Sequence, residues 1–239
     1  MLHLHTHSVY SYKKSIAKIE DICNESIKQG EKSFCITDYG SLKSFIKAFS
    51  YAAENDVKFI PGCEFLIKPD ESIFSKSIDE KINFYKKEMR LKRTTNEMYA
   101  EYEKEIEKLE KINAVDNHSV ILLAKNEDGF KSLVNIFNNT KEEGVEEGVP
   151  LTSKETIFKN SDGIICLSGG IKSEALYWIR NNDEKRAIEC LLEWKNVFKD
   201  NFYSEIEYQE MNRNPEGLLT EIEAFNKFIE ISNHMNIPL

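Results

Sequence analysis

The chain repeats one pattern: a short apolar run, a polar closure, then an amphipathic stretch of helical period. Ser33-Phe34-Cys35-Ile36-Thr37 ends in Asp38-Tyr39-Gly40, after which Leu42, Phe45, Ile46, Phe49 and Ala53 recur at helical spacing. Val57 to Ile60 follows, then Pro61-Gly62-Cys63-Glu64 and an extended stretch to Lys68. Ahead of these, residues 2–6 read as a strand and 15–29 as a helix. Ser15 serves as its N-cap, Ile19, Ile22, Cys23 and Ile27 share one face, and Gly30 stops it. Strand, helix, strand, helix, strand at this spacing implies parallel βαβ units, because parallel neighbours need a crossover between them. The fold class is therefore α/β.

The rhythm breaks at residues 78–113 and resumes at His118. The segment 78–113 holds nine Lys/Arg, nine Asp/Glu, no Gly and no Pro. Balanced charge without breakers favours helix, and Ile82, Tyr85, Met89, Tyr99, Tyr102, Ile106, Leu109 and Ile112 supply a broken apolar stripe. It reads as one or two long charged helices inserted into a single domain spanning 1–239. Beyond it, 118–125 is a strand, 128–138 a helix and 141–148 an acidic loop carrying Glu142, Glu143, Glu146 and Glu147. Ile164 to Leu167 is a strand running into Ser168-Gly169-Gly170. Helices follow at 171–181 and 183–198, then a strand over 201–207 and a helix over 215–235. Ile237-Pro238-Leu239 reads as the start of a further strand.

Composition narrows the function classes. The 239 residues, 41% hydrophobic, are enough for one domain with a sizeable core. A formal net charge of −9 argues against direct DNA binding by this chain alone, since tracking a phosphate backbone needs a basic face. Apolar runs such as Val120 to Ala124 are far too short for a membrane span, and the first residues do not resemble a signal peptide. Five scattered cysteines with no CxxC pair fit a reduced, cytoplasmic protein.

Three of the five histidines stand at alternate positions, His3, His5 and His7. On a strand they share one face, about 7 Å apart along it, while Leu2 and Leu4 share the other. The bland alternative is a polar strand at a solvated edge. Three histidines on one face favour a metal site, with His5 and His7 tilting onto one ion where the strand opens into a loop. In parallel α/β folds the working residues gather at strand carboxyl ends. Those ends carry His5 and His7, Asp38 and Tyr39, Glu64, Ser168 to Gly170, and Glu205 or Glu207. His118 stands at the opposite, amino end of its strand. Asp38 could equally cap a helix, and Glu64 could pair with a lysine. Imidazole with carboxylate suits a first-row divalent ion, which activates water against phosphate esters.

The ordered set His3-Leu4-His5-Thr6-His7-Ser8-Val9-Tyr10-Ser11, Ile36-Thr37-Asp38-Tyr39-Gly40, Pro61-Gly62-Cys63-Glu64, Val120 to Phe130, Leu167-Ser168-Gly169 and Phe202-Tyr203-Ser204-Glu205-Ile206 resembles PHP (polymerase and histidinol phosphatase) domains. The resemblance points in particular to the PHP domain that opens the alpha subunit of bacterial DNA polymerase III. It covers nearly the whole chain apart from the charged insertion. It implies a distorted (β/α)7 barrel of PHP type, with metals at its carboxyl-end mouth. Full sites in that family hold up to three ions and hydrolyse phosphoesters, in some polymerases as a proofreading exonuclease.

By that resemblance His5, His7 and Glu64 are metal ligands, and His118 matches a further family histidine with a one-residue offset. Other positions depart. Lys14 stands where the family has Asp, Tyr39 where it has His after Thr-Asp, and Gly170 where it has Cys after Leu-Ser-Gly. Lysine is a cationic donor, glycine offers no ligand, and neutral tyrosine is a poor substitute for imidazole. With Asp38, these positions line the expected site. What remains holds at most one weakly bound divalent ion, zinc or manganese, or none. Affinity should fall as pH drops through about 6.5, because protonated imidazole cannot ligate. The family's closing strand would start near Ile237, so the barrel should be open between its first and sixth strands.

The resemblance thus implies a structural PHP module with a degraded phosphoesterase or exonuclease site. Its partners would be the rest of a polymerase alpha subunit or other replication proteins. No residue stands out as catalytic. The alternative is a free-standing metal-dependent phosphoesterase with a reduced site.

Overall fold

The computed structural model describes residues 2–68, 82–91, 95–113, 117–146, 148–207 and 220–239. In chain order its elements are α1 (Ile19–Lys28), β1 (Ser33–Tyr39), α2 (Phe45–Glu54), β2 (Lys58–Ile67), α3 (82–89), α4 (Asn96–Asn113), β3 (His118–Ala124), α5 (Glu127–Glu143), β4 (Val145–Glu146), β5 (Val149–Thr152), α6 (Lys154–Lys159), β6 (Ile164–Leu167), α7 (Glu174–Arg180), α8 (Glu184–Phe198), β7 (Phe202–Tyr203) and α9 (Glu221–His234). The chain divides into two compact units, one of Met1–Ile67 with His118–Leu239, the other Lys68–Asn117.

The second unit holds the charged helices. Ile82 and Ile106 are buried with Tyr85 and Met89 packed on them, and the rings of Tyr85 and Tyr102 lie 5.4 Å apart. These are positions of the apolar stripe at helical spacing. Residues 78–81 and 92–94 of the expected helices, and 215–219 ahead of α9, lie outside the described residues.

The first unit is α/β. Alternation along β1 sends Phe34 and Ile36 against α1 and α2, where Ile19, Cys23, Ala48 and Ala52 complete a buried cluster. Cys35 on the other face joins Ile121, Leu123 and Leu167. All five cysteines are free and buried. The sheet runs β4-β5-β2-β3-β6-β7, with β1 on β2.

One strand departs from the expected parallel order. β1 and β2 are parallel, but β3 is antiparallel to both β2 and β6. The reason lies in the insertion. The chain leaves β2 at Ile67 and returns at His118, and these two residues are register partners. A strand that restarts beside the end of its predecessor must run back along it. The amino end of β3 therefore stands at the carboxyl end of β2, which puts His118 and Ser119 on the side of the sheet where Glu64 lies.

Residues 2–6 form no regular strand. Thr37 N–H donates to Thr6 O at 2.8 Å, but Thr6 N–H donates to the Thr37 side-chain Oγ1 at 2.9 Å, so a side chain replaces the next rung of the ladder. α1 starts at Ile19 rather than Ser15. Ser15 Oγ instead accepts from Ala17 N–H, and Val9 N–H donates to Ala17 O, tying this stretch to the preceding loop. The acidic loop is shorter than expected, since α5 reaches Glu143 and Val145–Glu146 pairs with β5 as a small hairpin.

The sheet is not closed. The amino-terminal stretch lies along β1, and Ser204 N–H, just past β7, donates to Pro238 O at 2.8 Å. Among the described residues no strand ladder joins these two borders. Ile237 is buried, 2% exposed, whereas Leu239 is 57% exposed. Ile237→Ala should therefore destabilise the chain by about 2–4 kcal/mol, and Leu239→Ala by less than about 0.5 kcal/mol, in urea unfolding. Equal midpoints for the two variants would contradict this placement of the last residues.

Candidate metal centre

His5 and His7 reach the site because Thr6, between them, is tied to Thr37 of β1. The following loop is clamped by Asp38. Its carboxylate, fully buried, accepts from Ser8 N–H at 2.7 Å, Ser8 Oγ at 2.8 and 2.9 Å, and Ser11 Oγ at 2.7 Å. Glu64 comes from β2, opposite Tyr39 in the register with β1. Ligand atoms of His5, His7 and Glu64 lie within 4.8 Å of one another. His7 Nε2 is 2.8 Å and His5 Nε2 3.5 Å from Glu64 Oε2, and the two imidazole centroids are 5.0 Å apart.

The other end of two of these ligands is tied down. His5 Nδ1–H donates to Glu205 Oε1 at 2.7 Å, and Ser119 Oγ–H donates to Glu64 Oε1 at 2.6 Å. That leaves His5 Nε2, His7 Nε2 and Glu64 Oε2 buried and converging on one another, with no hydrogen-bond partner outside the trio among the described residues. Three converging lone-pair donors, with the opposite atoms of His5 and Glu64 held by hydrogen bonds, fit a divalent ion of the zinc or manganese kind.

Glu205 is held in turn by the segment after β6. Its N–H donates to Ser168 Oγ at 2.9 Å, and Ser168 N–H donates to Tyr203 O at 3.0 Å. Gly169, at φ +97°, packs against β3, where a Cβ would stand 2.0 Å from Ser119 O. At Gly170 a Cβ would meet Glu207 Oε2 at 2.9 Å, so a carboxylate fills the space a side chain there would take.

Electrostatics bind the cluster together. Burial alone would lower the His5 pKa, but Glu205 and Glu64 outweigh it and raise it from 6.5 to about 10. Burial would raise that of Glu64, yet the contacts with His5 and His7 and the Ser119 hydroxyl hold it well below the usual carboxylate range.

Of the residues singled out from sequence, His5, His7 and Glu64 come together. His118 is buried, its ring 5.2 Å from that of Tyr177, and is not among the three that gather. His3 is exposed. Asp38 anchors the loop and is not among the three that gather. Tyr39 lies 6.4 Å from His7, ring to ring, with Lys14 Nζ 4.8 Å from its centroid. The sequence pattern does not mark Ser119, and it marks Glu205 only as a strand-end carboxylate. The signal for Ser119 was its place next to His118.

The sequence profile of the PHP domain family matches residues 3–209, and the chain belongs to that family. Along its whole length it is similar to DNA polymerase III subunit alpha of Borreliella burgdorferi, 27% identical over 241 residues. The same subunit of Aquifex aeolicus is 25% identical over 240 residues. The chain spans 17% of the length of each of these curated relatives. Among solved structures, an amidohydrolase of Chromobacterium violaceum aligns over 99% of this chain and 84% of its own, at 10% identity and a TM-score of 0.45. Among the described residues no helix is long and apolar enough to cross a membrane.

Two outcomes follow from this geometry. In the metal-free chain, the raised His5 pKa means a stabilisation fully present below about pH 6.5 that is lost as pH rises towards about 10. Glu64 acts with the opposite sign, its contribution being lost as pH falls below about 4.5. Thermal melts in chelator between about pH 6 and 10 should show the alkaline decline, and His5→Gln should flatten it. Separately, Glu205→Gln should weaken zinc or manganese binding about 10- to 100-fold by calorimetry, since it loosens the imidazole it orients. Unchanged affinity would mean that Glu205 does not position His5.

Proposed function

We propose that this chain is the PHP module of a replicative DNA polymerase alpha subunit, or of a close counterpart. In this reading it works in the cytoplasm as a structural part of the replication machinery, holding at most one divalent ion and hydrolysing little or nothing. The observation that carries this is the set of donors: His5, His7 and Glu64 gather, while Lys14 and Tyr39 occupy the adjoining border with a cation and a phenol. The similarity to polymerase III alpha along the full chain supports the choice of partner.

A bound divalent ion would polarise a phosphoryl oxygen and acidify a water. The residues of this chain supply the rest. Glu205 and Ser119 orient two ligands, and Asp38 keeps the histidine loop closed over β1. Phosphoryl transfer between two metals stabilises both the attacking and the leaving oxygen, and a three-donor site for one ion cannot do both. The second reading, a free-standing phosphoesterase, rests on the retention of His5, His7 and Glu64. The mass of the native polypeptide, read by immunoblot, separates the two readings.

The chain should release no nucleotide from single-stranded DNA, and no phosphate from a generic phosphate ester, when manganese or zinc is added. Turnover that disappears in His5→Ala would overturn the structural reading. Metal titration should saturate at no more than one ion per chain. Because the ion must displace the His5 proton, affinity should still be rising above pH 7 rather than levelling near 6.5. A plateau by pH 7 would show that His5 is not a ligand.

A further inference from the structure

Beside the three donors stands a second cluster, and it is cationic. Lys14 Nζ lies 4.8 Å and Lys172 Nζ 6.0 Å from the centroid of the Tyr39 ring, which is 6.4 Å from that of His7. The two lysines come from distant segments whose backbones are held. Lys14 N–H donates to Ser11 O in the loop that Asp38 clamps, and Lys172 N–H donates to Gly169 O in the turn after β6. Among the described residues no carboxylate stands within ion-pair distance of either ammonium. That is unexpected in a chain with 41 acidic and only 32 basic residues. Two like charges on one ring repel each other, and an anion between or over them relieves that repulsion.

We propose that Lys14, Lys172 and the Tyr39 ring form an oxyanion seat that takes a phosphate monoester dianion at the border of the His5–His7–Glu64 centre. The seat rests on the single-ion reading above: it supplies with fixed ammonium groups the positive charge that further ions would bring. A lysine ammonium cannot ligate a metal, but it donates to phosphate oxygens as a point charge. Two such charges and one divalent ion suit a doubly charged group. A diester carries a single charge and is held less well. The seat binds without promoting hydrolysis, because an ammonium generates no hydroxide nucleophile.

The test uses the full chain, metal-free and manganese-loaded, titrated calorimetrically with inorganic phosphate, glycerol phosphate and dimethyl phosphate. Phosphate and the monoester should bind, and dimethyl phosphate should bind at least about tenfold more weakly. Lys14→Ala and Lys172→Ala should each weaken phosphate about tenfold, and the Lys→Arg variants should retain most of the affinity. Lys13→Ala, whose ammonium lies over Tyr12 instead, should change nothing. Manganese affinity measured without phosphate should hold or rise in the alanine variants, since a neighbouring positive charge is gone.

Phosphate affinity that is absent, or unchanged in the Lys14→Ala/Lys172→Ala chain, would overturn the seat. Uptake of two or more manganese ions per chain, with lysine-dependent phosphate binding intact, would overturn the single-ion reading and leave the seat standing.

Discussion

The Glu64 carboxylate is the point on which the site depends. It is 4% exposed, and a buried carboxylate is costly unless charge and hydrogen bonds surround it. Here His5 and His7 approach one oxygen and Ser119 donates to the other. The two imidazoles come from the amino-terminal stretch and the hydroxyl from β3, while Glu64 itself stands on β2. Glu64 therefore ties the amino-terminal stretch, which forms no strand of the sheet, to the paired strands β2 and β3. It is also the partner that keeps two imidazoles facing inward, where water would otherwise claim them.

The same economy appears at the open border of the sheet. Among the described residues the stretch carrying His5 has one backbone bond to β1, and β7 is followed by a single bond to Pro238. Across that border the His5–Glu205 hydrogen bond links residues 200 positions apart. A proton shared there, or an ion at His5 Nε2, is thus coupled to how the two borders stand. The candidate metal centre and the unclosed side of the sheet meet at the same imidazole. The expected pH response of the metal-free chain and the expected metal affinity therefore share one origin.

Two ammonium groups stand on the Tyr39 ring, beside the three donors. Lys14 and Lys172 face Tyr39, and the Glu207 carboxylate occupies the space left by Gly170. In the proposed reading the mouth keeps three donors and borders them with fixed cations.

Much of this was written locally in the chain. Helical and strand periodicities identified the α/β class and the apolar faces of α1 and α2, because a period reports which side of an element is buried. His5, His7 and Glu64 were legible because the residue types are diagnostic and lie at segment ends. Strand direction was not legible. A run such as Val120 to Ala124 is apolar whichever way it points, and only the return of the chain at His118 beside Ile67 made β3 antiparallel. The roles of Ser119, Glu205 and Asp38 were likewise decided in three dimensions. Ser119 and Glu205 act on partners 55 and 200 residues away, and Asp38 turned from a site-lining candidate into a clamp once Ser8 and Ser11 folded over it. Sequence determined which side chains could do the chemistry. Tertiary structure decided which of their atoms stayed free, because hydrogen bonds between distant segments hold one end of a ligand and leave the other exposed to the site.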